Sequence, residues 1–105
     1  MIEKRERDKM ELSSKQRASL RAMANTLPVI LFIGKEGVTD GTVKEAYDAL
    51  QARELIKCQV QQNVSLSARE AAENLSQRLG ASPVQVIGSK FVLYRKNDKN
   101  PKIEL

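Results

Sequence analysis

Apolar positions recur along the chain with two alternating periods, and the changes of period mark seven elements. Leu20, Met23, Ala24 and Leu27 fall at i, i+3, i+4 and i+7, one face of a helix. Ser13-Ser-Lys-Gln16 has capping-box spacing, so the helix starts at Ser13. Pro28 stops it by disfavouring helical geometry at Leu27. Val29–Ile33 is a continuous apolar run of strand length, which predicts a central strand buried on both faces. After Gly34-Lys-Glu-Gly37, Thr39 or Asp40 can cap a second helix with Val43, Ala46, Tyr47 and Leu50 inward. Alternation over Leu55–Val60 predicts a strand with Ile56, Cys58 and Val60 inward. Ser67-Ala-Arg-Glu70 is another capping box. It opens a helix with the stripe Ala68, Ala71, Ala72, Leu75 and Leu79, stopped by Gly80. Pro83 fixes the entry to a third strand, Val84–Ile87, and Gly88-Ser89 is a two-residue hairpin turn leading to Phe91–Arg95.

These elements predict an α/β fold: a single compact domain in the order α-β-α-β-α-β-β, with three helices on a mixed four-stranded sheet. Strands alternating with helices imply parallel pairing, and the terminal hairpin adds an antiparallel pair. The order of strands across the sheet is left open. Residues 1–12 mix four cations with four anions and form a charged, flexible or frayed helical lead-in, leaving 13–105 as the domain.

Composition narrows the chemistry. The chain of 105 residues has one cysteine and no histidine. A lone Cys58 excludes an internal disulfide and a cysteine-rich zinc site. Without histidine there is no histidine-based triad or metal site. No apolar run approaches membrane-spanning length, and the start has no secretory apolar region, so a cytoplasmic protein is expected. The charge excess lies entirely in residues 13–105, with 14 Lys+Arg against 9 Asp+Glu. A basic domain fits a polyanionic partner, although surplus lysine for solubility gives the same count.

The informative motif is Gly34-Lys35-Glu36-Gly37, between a buried strand and a helix. Two glycines allow close backbone approach and positive φ. Their amides and the following helix N-terminus can face a phosphate, with Lys35 adding a mobile charge. A tight strand-to-helix turn would need the same glycines. Lys15, Arg17 and Arg21 lie on the polar side of the first helix and can extend such a surface. Lys90, Arg95 and Lys96 form a possible secondary basic surface, or simply protect an exposed hairpin edge. The four aromatic residues, Phe32, Tyr47, Phe91 and Tyr94, are mostly core candidates, and Phe91 and Tyr94 have opposite strand parity. A stacking platform is therefore not expected. Glu45 and Asp48 share a helix face and read as surface charge. Cys58 reads as a small buried hydrophobe. No catalytic constellation, Walker loop or dinucleotide fingerprint is present, so neither enzyme activity nor a cofactor is expected.

Four segments in register carry a wider resemblance. They are Thr26-Leu-Pro-Val-Ile-Leu-Phe-Ile-Gly-Lys-Glu-Gly-Val-Thr-Asp-Gly41, Ala49-Leu-Gln-Ala-Arg-Glu-Leu-Ile-Lys57, Val84-Gln-Val-Ile-Gly88 and Val92-Leu-Tyr-Arg95. Over about residues 12–105 the chain resembles the CRM (chloroplast RNA splicing and ribosome maturation) domain, in its stand-alone bacterial YhbY-type form. The resemblance implies a fold similar to the C-terminal domain of translation initiation factor three. It also implies RNA binding through Gly34, Lys35, Glu36 and Gly37 with the adjoining basic surface, and association with precursors of the large ribosomal subunit. The expectation is thus a monomeric, non-enzymatic RNA-binding assembly factor. The alternative is an adaptor docking on a ribosomal protein or GTPase.

Overall fold

The computed structural model describes residues 12–105. The charged lead-in therefore lies outside the described residues, except for Leu12, which packs against a core cluster containing Leu20 and Tyr94. The described elements are α1 (Ser14–Ala24), β1 (Val29–Ile33), α2 (Asp40–Arg53), β2 (Leu55–Val60), α3 (Ala68–Leu79), β3 (Ser82–Ile87) and β4 (Lys90–Tyr94). They follow the expected order of three helices and four strands.

Local chemistry fixes the ends. Ser13 caps α1 and Ser67 caps α3, each through a complete capping box with Gln16 or Glu70. Thr39 caps α2 by accepting the Thr42 amide at 3.2 Å. Beyond α1, the Thr26 and Leu27 amides bond back to Met23 and Ala24 carbonyls, a tightened last turn that Pro28 terminates. Gly80 closes α3 in the left-handed conformation at φ 65°. Gly88 takes positive φ in the two-residue turn that sets Ile87 opposite Lys90.

The strand order is β1-β2-β4-β3. β1 and β2 run parallel, while β4 is antiparallel to both β2 and β3. One sheet face packs on α2 and α3, burying Leu31, Ile33, Ile56, Cys58, Phe91 and Leu93 with the alanine-rich stripe of α3. The other face buries Leu55, Val84, Val92 and Tyr94 under Leu20 and Ala24 of α1. Phe91 and Tyr94 accordingly enter opposite cores.

Three expectations are corrected. β1 is an edge strand, not a central one, because only β2 pairs with it. Leu31 and Ile33 are buried, whereas Phe32 is 54% exposed. The apolar run continues through Phe32 even though α1 sits over β2, β3 and β4 residues and leaves that part of β1 open. Tyr47, placed inward by its spacing, is 41% exposed and carries the Arg95 guanidinium 5.2 Å from its ring centroid. Met23 is likewise exposed, in the last turn of α1.

Candidate nucleic-acid interface

β1 delivers the chain into the glycine turn. The Gly37 amide donates to the Gly34 carbonyl at 2.9 Å, closing a four-residue turn with Lys35 and Glu36 at its tip. Gly37 has φ 76°, a conformation that a side chain rarely adopts, although an added Cβ would meet no atom within 4 Å. Gly34 sits close to its neighbour: a Cβ there would lie 3.3 Å from Oε1 of the exposed Gln61 side chain, which would have to shift by a few tenths of an ångström, beside the bond from the Gln61 amide to the Ile33 carbonyl. Because the Gly37 amide is spent inside the turn, it does not face outward. Lys35 and Glu36 are exposed and make no hydrogen bond or ion pair among the described residues, so their amides and the Lys35 ammonium are open.

Parallel pairing of β1 with β2 brings further groups to this end of the sheet. Gly88-Ser89 lies here, with the Val60 amide donating to the Ser89 carbonyl at 2.8 Å and Gln59 Nε2 to Ser89 Oγ at 3.4 Å. The N-terminus of α2 also starts here, but Asp40 occupies its first turn and offsets its positive dipole end. Arg78 stands 4.0 Å from Asp40. The four strands themselves contain Lys57 and Lys90 and no carboxylate.

The remaining basic candidates are distributed unevenly. Lys15 faces solvent. Arg17 does not: it is half-buried on the sheet-facing side of α1, and its Nη1 donates to the carbonyls of Pro83 and Val84. Those carbonyls belong to β3, the opposite edge from β1, about 14 Å away at three strand spacings. Arg21, one turn on, is also half-buried beside the Leu20–Ala24 stripe. Of the secondary group, Lys90 stands exposed at the glycine-turn end of β4, paired with Gln59. Arg95 and Lys96 follow β4 at the far end, where Arg95 stacks on Tyr47. The fold thus brings Lys35 and Lys90 to one end and separates Arg17 and Arg95 from them.

Other chemically capable groups are structural. Cys58 is fully buried, and burial with the nearby Glu45 charge pushes its thiol up to about 12, so it stays protonated. Asp48 pairs with Lys44 at 3.2 Å on the exposed side of α2. Among the described residues, no group of three or more Cys, Asp or Glu side chains could hold a metal ion. No helix among them is long and apolar enough to cross a membrane.

Two informative residues were not singled out by spacing. Phe32 was hidden inside an apolar run. Glu54 sits alone between α2 and β2, fully buried at φ 65°. Its carboxylate accepts the amides of Asn97 at 2.6 Å, Lys102 at 2.7 Å and Ile103 at 2.8 Å, and its carbonyl accepts the Arg95 amide. This pins the C-terminal segment across the far end of the domain. Burial pushes the Glu54 carboxyl up, but these three amides and the Lys102 charge outweigh it and hold it below its ordinary value.

Known proteins are similar to this chain over nearly its whole length. The Bacillus subtilis (strain 168) "Probable RNA-binding protein YqeI" is 42% identical over 90% of this chain and 98% of its own length. A Haemophilus influenzae "RNA-binding protein" is 33% identical over 90% of this chain and 94% of its own. The solution structure of Staphylococcus aureus SAV1595 superposes with a TM-score of 0.76 at 42% identity, covering 90% of this chain and 99% of that one. The family model for the CRS1 / YhbY (CRM) domain matches residues 12–95, from the start of the α1 core through the end of β4. The chain belongs to the CRS1/YhbY (CRM) domain family.

Proposed function

We propose that this chain is a non-enzymatic, cytoplasmic RNA-binding protein that acts as a monomer in assembly of the large ribosomal subunit. The observation that carries the reading is the Gly34–Gly37 turn, with an open Lys35 at its tip and Lys90 at the same end of a carboxylate-free sheet. Relatives named as RNA-binding proteins span nearly the whole chain and support the same partner. In this reading the turn approaches the ribose-phosphate backbone. Lys35 and Lys90 neutralise phosphates, and Lys15 and Arg21 extend the contact around α1. Phosphate contacts set affinity and position without reading sequence.

The test is binding of a large-subunit ribosomal RNA transcript, against a small-subunit transcript, over about 50 to 200 mM salt. The affinity is expected to fall linearly on a log–log plot, by about 0.7 per phosphate contacted in single strands. The large-subunit transcript is expected to bind more tightly. Binding that is absent, or indifferent to salt, contradicts this reading and favours an adaptor that docks on a ribosomal protein or GTPase.

A further inference from the structure

The face of the sheet beneath α1 is only half covered. Cross-strand registers place Phe32 beside Gln59, Gln59 beside Lys90, and Lys90 beside Ile87. Neighbours in register share a face, so these four side chains form one row across all four strands. The next row, Leu31, Cys58, Phe91 and Val86, points the other way into the α2–α3 core. The Phe32 row therefore lies on the α1 side. There α1 reaches Leu55, Val84, Val92 and Tyr94, all towards the far end, and leaves the row open. Phe32 is 54% exposed and Ile87 62%.

We infer that this open row is a binding surface for single-stranded RNA, with an unpaired base stacked on Phe32. The inference rests on the RNA reading above and names the surface that reading lacks. Charge and spacing select the occupant. The row carries Lys90 and no carboxylate, Lys57 lies on the same face, and Lys35 follows Phe32 by three residues. Phe32 and Ile87 stand on opposite edge strands with the amide of Gln59 and the ammonium of Lys90 between them. That alternation of apolar platform, hydrogen-bonding amide and cation matches the parts of a nucleotide. A docking protein would be better served by a contiguous apolar patch. Duplex RNA is a poor occupant, because its bases are already stacked and its wide groove presents hydroxyls and phosphates.

The chain contains no tryptophan, so Phe32→Trp installs a single fluorescent reporter on the platform. The experiment compares wild type, Phe32→Trp and Phe32→Ala. It titrates each with a single-stranded RNA and with a duplex of the same length, checking fold by thermal melting and association state by sedimentation. Single-stranded RNA is expected to quench the Trp emission. Phe32→Ala is expected to lose about 5-fold to 100-fold in affinity for the single strand, with little change for the duplex. Retained single-strand affinity in folded Phe32→Ala, with no quenching in Phe32→Trp, overturns the inference while leaving the RNA reading in place. Equal losses for both RNAs also overturn it, since stacking is then not the contact. Self-association of wild type that Phe32→Ala abolishes, with RNA binding unchanged, reassigns the row to a contact between copies. Failure of wild type to bind either RNA removes the inference together with the reading beneath it.

Discussion

Glu54→Ala is expected to lower stability by about 3 kcal/mol, with a fall in Tm above about 12 °C and release of the C-terminal segment. The carboxylate is fully buried and accepts three backbone amides, each a charge-assisted bond. Such bonds contribute roughly 1.5–3 kcal/mol apiece. The total falls short of their sum because the freed segment can swing into water and hydrate its amides. Alanine also keeps the Cβ at φ 65°, so the backbone strain at this one-residue junction remains while the bonds that offset it are gone. Thermal melting reads the loss, and amide exchange at Asn97, Lys102 and Ile103 locates it. A melting point within about 3 °C of wild type would contradict the assignment.

The same carboxylate sets a pH dependence. Its folded-state titration lies below the ordinary value of 4.5, so its contribution is complete above that pH. The contribution is lost as pH falls through the lowered folded value, when the protonated carboxyl no longer accepts three amides. Acid is therefore expected to loosen residues 95–103 before the sheet. Glu54→Gln, which cannot ionise, is expected to start less stable and to lack this acid step.

Lys35→Glu/Gly37→Asp is expected to weaken RNA binding roughly 10-fold or more at about 0.1 M salt, and to reduce the salt slope by about one. Lys35 is exposed and makes no hydrogen bond or ion pair among the described residues, so its replacement removes no such interaction there. An added Cβ at Gly37 meets nothing, and aspartate is among the residues that tolerate positive φ, at about 1–2 kcal/mol. The variant is expected to fold at that cost, with an effect on binding that is electrostatic: two negative charges stand where a phosphate would approach. Anisotropy titrations at several salt concentrations separate the loss of a contact from a general loss of structure.

Much of the fold was legible because it is written locally. The capping boxes at Ser13 and Ser67, the left-handed stop at Gly80 and the Gly88-Ser89 turn each depend on residues within a few positions. The α3 stripe was legible for the same reason, since helical spacing alone brings its residues to one face. Strand order was not, because pairing β4 between β2 and β3 is a long-range choice. Its consequence, β1 at the edge, is what exposes Phe32. At the site, the glycine turn and Lys35 were legible as a motif. The docking of Arg17 was not, since its partners are carbonyls on a strand more than 60 residues away. Glu54 was hidden for a similar reason: its amide partners lie more than 40 residues on, in a segment with no periodic pattern.

Engagement of ribosomal RNA by the glycine-turn end of the sheet underlies the proposed function. Its most direct test is recovery of RNA crosslinked in cells to the wild-type chain and to Lys35→Glu/Gly37→Asp, with folding of both verified by melting. Large-subunit ribosomal RNA is expected to be enriched with wild type and lost with the variant. Equal recovery of that RNA by the folded variant would contradict it.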